Sequence, residues 1–162
     1  MKYLKENCTD LKWGIAGRSK SKLIYLSNLY SVDCEIFIAD GDDTIALDKM
    51  TEKTKIVLST AGPFHRYGSK LVASCVKNKT HYVDITGETF WVKEMIIKHH
   101  EEAKKKSIRI IPSCGFDSIP SDLGSYFASR EFENEVKSIH SFYKWKGEVS
   151  GGTIETMFSA SD

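Results

Sequence analysis

With 162 residues the chain has room for one domain of ordinary size, and 41% hydrophobic with 28% charged residues is the composition of a packed globule rather than a disordered segment. Its 23 basic and 22 acidic residues leave a net charge of +1, which gives no ground for a nucleic-acid or acidic-membrane surface. No stretch approaches the roughly twenty apolar residues of a membrane span, and the opening MKYLKENCTD has no apolar signal-peptide core.

Residues 1–10 are polar and read as a helix ending near Cys8, Thr9 and Asp10. Trp13–Ala16 is the first strand. Ser19–Leu29 follows as a helix, with Ser19 as its N-cap and Leu23, Leu26 and Leu29 at helical spacing. Glu35–Ala39 is the second strand, and Asp43–Met50 a short helix turning Ile45, Ala46 and Met50 inward. Lys55–Ser59 is the third strand; Gly68–Lys77 is a helix with Leu71, Val72, Cys75 and Val76 on one side. His81–Ile85 is the fourth strand. Thr89–Lys106 is the longest helix, with Trp91, Met95, Ile96 and Ala103 as burial candidates and a lysine run that suits its C-terminal dipole. Arg109–Ser113 is the fifth strand, and Ser121–Ser129 a helix after the Pro120 stop. The character changes near Val136: Lys137–Lys146 alternates like an exposed-face strand, and Ser150 or Thr153 caps a last helix.

Short aliphatic strands alternating with helices indicate an α/β fold with a doubly wound parallel sheet. The organisation read from it is a Rossmann-like domain over 1–135 and the beginning of a second, α+β domain over 136–162. In such sheets ligands lie outside the carboxyl ends of the strands, so the strand-end turns carry the candidates.

In a dinucleotide-binding sheet the turn holding Arg18 and Ser19 lies beside the adenosine ribose, where arginine suits the 2′-phosphate of NADP and an acidic residue would suit NAD. Arg18 reads equally as an ordinary surface residue. Asp42 either meets the adenine amino group or is an ordinary turn residue, whereas Asp43 reads as a helix cap. The turn Ala61, Gly62, Pro63, Phe64 lets a ligand approach the backbone, and the next helix start offers free amides. His65, Arg66 and Tyr67 follow, facing either substrate or solvent. Asp84 and Glu88 form a carboxylate turn that either orients a ligand or, respectively, bonds local backbone and caps the long helix. Gly115 and Phe116 are placed to wall the nicotinamide pocket, with Asp117 bonding the loop. Cys114 lacks a nearby histidine base and reads as a structural thiol. No side chain stands out as catalytic. Cysteines 8, 34, 75 and 114 form no CxxC pair and no metal-ligand spacing, as expected of reduced thiols in a cytoplasmic protein without a metal.

The runs WGIAGRSKSKL, LSTAGPFHRYG, HYVDITGE, CGFDSIPSDLG and SGGTIETM, in this order, resemble the saccharopine dehydrogenase-like oxidoreductases, a group similar to the trans-acting enoyl reductases of lipid biosynthesis. The likeness runs from about Trp13 to Met157. It implies an NADP cofactor, with NAD as the alternative, and hydride transfer to a small-molecule or lipid substrate. It equally admits a non-catalytic member associated with a membrane or lipid droplet. The family pattern begins with a strand and a GATGFTG-type phosphate loop, for which no counterpart precedes Trp13. The resemblance therefore implies a fragment whose sheet lacks its first strand and which stops at the start of the substrate domain. An epimerase-type Rossmann protein is disfavoured, because Tyr67 is followed four residues on by Leu71 and makes no Tyr-x-x-x-Lys pair.

Overall fold

A computed structural model describes residues 1–132, 135–144 and 146–147. The elements run α1 (Lys2–Asn7), β1 (Gly14–Gly17), α2 (Lys20–Leu29), β2 (Glu35–Ile38), α3 (Thr44–Glu52), β3 (Ile56–Ser59), α4 (Phe64–Asn78), β4 (His81–Asp84), α5 (Thr89–Lys105), β5 (Ile110–Ile111) and α6 (Ile119–Arg130). All strand pairs are parallel, as strands joined by crossover helices must be. The result is a Rossmann-like α/β fold.

The ladder is in two parts. β1 pairs with β2, matching Gly14 to Glu35, and the second sheet has the order β3-β4-β5, matching Ile56 to His81 and Tyr82 to Ile110. Among the described residues β1 and β3 each keep one edge without a strand partner. Gly14 is required where β1 meets β2, since a Cβ there would lie 2.7 Å from the Glu35 carbonyl oxygen.

The core is built on α4. Leu71, Val72, Cys75 and Val76 form one buried stripe at helical spacing, as expected. Leu47 and Met50 of α3, Val57, Tyr82, and Trp91 and Met95 of α5 close around it. A polar seam ties α3 to the end of α4. The Thr51 hydroxyl donates to the Leu47 carbonyl at 3.0 Å and accepts from Asn78 at 2.8 Å, while the Thr80 hydroxyl donates to the Thr51 carbonyl at 2.7 Å.

Several expectations are corrected. α4 begins at Phe64, four residues before Gly68, because a carboxylate from another turn satisfies its first amides. β5 is two residues long, not five. Pro112 has no N–H for a ladder, and Ser113 turns to φ 60. α6 starts at Ile119 and takes Pro120 into its first turn, where no N–H is needed. Leu29, Ile45 and Ile96, expected inside, are 56, 70 and 56% exposed. In α3 the buried face is Leu47, Met50 and Thr51, which turns Ile45 outward. Residues 137–144 form no strand. The expected cap at Ser150 or Thr153 lies outside the described residues.

Candidate functional site

In a parallel α/β sheet the ligand crevice lies outside the carboxyl ends of the strands, and the strand-end turns furnish it unequally. After β1, Ser19 caps α2 by accepting from the Lys22 amide at 3.4 Å, and its hydroxyl lies 3.2 Å from that of Ser21. Arg18, Lys20 and Lys22, which alternate with these serines in sequence, are exposed. Among the described residues none of the three pairs with a carboxylate. Three cations, two hydroxyls and a helix start are a donor set for a phosphate group.

After β2, the Asp40 carboxylate accepts from the Asp42 amide at 3.1 Å, and Asp43 caps α3 through the Ala46 amide at 3.0 Å, the role expected of it. Asp42 is paired with Lys70 of α4 at 2.6 Å, both side chains largely exposed. Tyr67 lies against Gly41, where a Cβ would approach its Cβ to 3.1 Å. Tyr67 thereby joins the turns after β2 and β3.

After β3, Ala61 and Gly62 are exposed, Gly62–Pro63 is cis, and Ser59 accepts from the Ala61 amide at 3.4 Å. Phe64, expected to wall a ligand, instead turns into the core with its ring 5.7 Å from that of Trp91. The expected free amides at the start of α4 are taken. Glu88 accepts from the Phe64 N–H through Oε1 at 2.8 Å and from the His65 N–H through Oε2 at 2.7 Å. Its Oε2 also lies 2.7 Å from His65 Nδ1. The Nδ1 side of the ring is thereby engaged, and Nε2 is left as the second imidazole nitrogen.

Glu88 immediately precedes α5 but makes no side-chain cap to it. It caps α4 instead, across 24 residues of sequence. Asp84 is fully buried. Its Oδ1 accepts from the Thr86 amide at 3.0 Å and the Ser113 amide at 2.9 Å, and its Oδ2 from the Tyr82 hydroxyl at 2.8 Å. Burial, with the Asp84 charge beside it, pushes the Tyr82 phenol far above its ordinary range. Asp84 thus binds backbone beyond its own turn, fastening β4 to the residues after β5. Its main-chain oxygen also accepts from the Cys114 amide at 2.7 Å.

After β5, Gly115 is buried, with the Asp117 carboxylate folded over it; a Cβ would meet Asp117 Oδ1 at 2.5 Å. Phe116 is 87% exposed. The Cys114 thiol is raised above its ordinary range by burial and by Asp84, which opposes the thiolate a nucleophile needs. The Asp84 and Glu88 networks were not visible locally, because their partners lie on other strand-end turns.

The sequence profile of the saccharopine dehydrogenase NADP-binding domain matches residues 1–111. A rat protein called saccharopine dehydrogenase-like oxidoreductase is 36% identical over 146 residues, covering 85% of this chain and 34% of its own length. A trans-acting enoyl reductase of Mycobacterium bovis is 34% identical over 170 residues, covering 98% of this chain and 40% of that protein. A lipid droplet localized protein of Caenorhabditis elegans is 31% identical over 164 residues, covering 94% and 38%. The chain spans about a third of the length of the first of these relatives. Among solved structures, apo saccharopine dehydrogenase (L-Glu forming) from Saccharomyces cerevisiae superposes with a TM-score of 0.63 at 20% identity, over 75% of this chain and 26% of that one, a likeness of fold.

Proposed function

Because the chain belongs to the saccharopine dehydrogenase NADP-binding family, we propose that it is the cofactor-binding part of an NADP-linked oxidoreductase whose substrate is a small molecule or a lipid. The observation that carries this is the turn after β1. Arg18, Lys20 and Lys22 alternate in sequence with Ser19 and Ser21 at the start of α2, all three exposed and with no carboxylate to neutralise them among the described residues. That set fits a ribose 2′-phosphate and favours NADP over NAD. When bound, NADPH supplies a hydride. The chain's own part is to bind and orient. Arg18 and Ser19 hold the phosphate, and Asp42, already near Lys70, borders the adenine. The exposed backbone of Ala61 and Gly62, held by buried Pro63 and Phe64, receives the nicotinamide ribose. Gly115 and Phe116 border the far end, with Asp117 closing over the loop. Of the four groups expected to orient substrate, Asp84 and Glu88 act through the scaffold, while Tyr67 and Asp117 remain at the crevice. The dinucleotide domain covers 1–135 and the next domain opens at 136–162. Relatives called enoyl reductase support an unsaturated lipid as the substrate class. The test is thermal unfolding with each cofactor. At a hundredfold excess over Kd, NADPH should stabilise by about 2.7 kcal/mol, NADH by less, and no protection by NADPH would overturn the reading.

A second reading, a non-catalytic lipid-associated member, is supported by the worm relative and by Leu123, Tyr126 and Phe127, which are 44, 51 and 62% exposed on α6. No helix among the described residues is long and apolar enough to cross a membrane; these α6 side chains would meet a lipid surface. NADPH consumption with an enoyl lipid would count against this reading.

A further inference from the structure

The first amides of a helix point outward without partners and carry about half a positive charge, which makes a helix start a natural anion site. In α4 that site is filled from within. The Glu88 side chain is 1% exposed, and its two oxygens take the N–H groups of Phe64 and His65, the Oε2 also meeting His65 Nδ1. Glu88 is itself seated: its amide donates to Thr86 Oγ1 at 3.0 Å, and the Thr86 amide donates to buried Asp84, which also holds Ser113. One continuous chain of hydrogen bonds therefore joins the turns after β3, β4 and β5.

We propose that Glu88 is a positioning residue for the cofactor. It fixes the turn 60–63 at the height where the nicotinamide half is received. By occupying the anion site of α4, it leaves the start of α2, with Arg18, to take the phosphate. The inference rests on the NADP reading above and extends it to a residue that touches no ligand.

Two ligands separate this role from general support of the fold: NADPH, which needs both halves of the crevice, and 2′,5′-ADP, which needs only the Arg18 half. Both are titrated by calorimetry against the full-length natural protein. Glu88→Gln is nearly isosteric but turns an amide NH2 toward one of the two N–H groups. It should weaken NADPH roughly tenfold or more and leave 2′,5′-ADP within about twofold. Thr86→Val keeps the carboxylate and removes only its seat, so it should show the same split at smaller amplitude and stands as the test if Glu88→Gln does not fold. Parallel loss of both ligands, or no change in either, would overturn the positioning role. Failure of the wild-type protein to bind either ligand would instead remove the NADP reading, and this inference with it.

Discussion

Trp91 lies over Gly68 so closely that a Cβ on residue 68 would sit 2.6 Å from its Cζ2. The indole is 1% exposed, donates through Nε1 to the Ser69 hydroxyl at 2.9 Å, and tilts against Phe64. Glycine inside a helix costs about 1 kcal/mol relative to alanine, yet here it sets the distance between α4 and α5. Gly68→Ala should therefore destabilise the fold by roughly 1–3 kcal/mol net of the propensity gain. Urea denaturation measures this, and an unchanged midpoint would refute the close-approach account.

Arg18→Asp exchanges a phosphate-binding fork for a repelling carboxylate. NADPH affinity should fall by roughly 10- to 100-fold, NADH affinity by much less. Equal losses for the two cofactors would detach Arg18 from the 2′-phosphate.

Asp84 accepts two backbone N–H bonds and the Tyr82 hydroxyl in a fully buried site. Asp84→Asn must present an NH2 to one of these donors and should cost about 2–4 kcal/mol, whereas Tyr82→Phe removes one hydrogen bond and should cost about 1–2 kcal/mol. The double variant should cost less than the sum, because the partners are shared. Strict additivity in denaturant unfolding would show that the bond contributes nothing.

The Cys75 thiol has no exposed surface, and burial pushes it up to about 12. In the unfolded chain a thiol titrates near about 8.5. Above that pH the unfolded state sheds a proton that the fold retains, so stability is intact below about pH 8.5 and falls as pH rises toward 12. Cys75→Ser should flatten this alkaline limb. In thiol labelling at pH 8, Cys75 should react only on unfolding, while the partly exposed Cys8, Cys34 and Cys114 react in the native state. Native-state labelling of Cys75 at the rate of the others would show that the α4 core opens.

A charged pair on the other face of α4 gives an acid limb. Lys77 donates to Asp48 at 2.5 Å and, with Asn78, holds that carboxyl below its usual range. A lowered folded value means that the contribution is complete at neutral pH and is lost as pH falls through it. Asp48→Asn should reduce stability at pH 7 and leave it nearly unchanged near pH 2, as read from denaturation midpoints. A loss of equal size at both pH values would assign the effect to packing.

What sequence alone revealed follows from the range of each interaction. Ser19 and Asp43 could be read as caps because a cap bonds an amide three residues on. The buried stripe of α4 could be read because Leu71, Val72, Cys75 and Val76 repeat at the helical period. The strands could be read as short aliphatic runs closed by turn residues, and the family could be read from the order of those turns. The true start of α4 could not, since His65, Arg66 and Tyr67 look like loop and the carboxylate that holds them stands at position 88. The burial of Phe64 and the outward turn of Ile45 depend on where α5 and α4 pack, which no local pattern encodes. Glu88 is legible as a candidate from its place at a strand-end turn, but the helix it caps is not.

The contact of Gly41 with Tyr67 has a consequence for reach. Between the Arg18 turn after β1 and the Gly62 turn after β3 stand three contacts: α3 against α4, Gly41 against Tyr67, and Asp42 against Lys70. A bulkier residue at position 41 would lengthen that span without altering a group at either end, making position 41 a ruler for whatever molecule bridges the two.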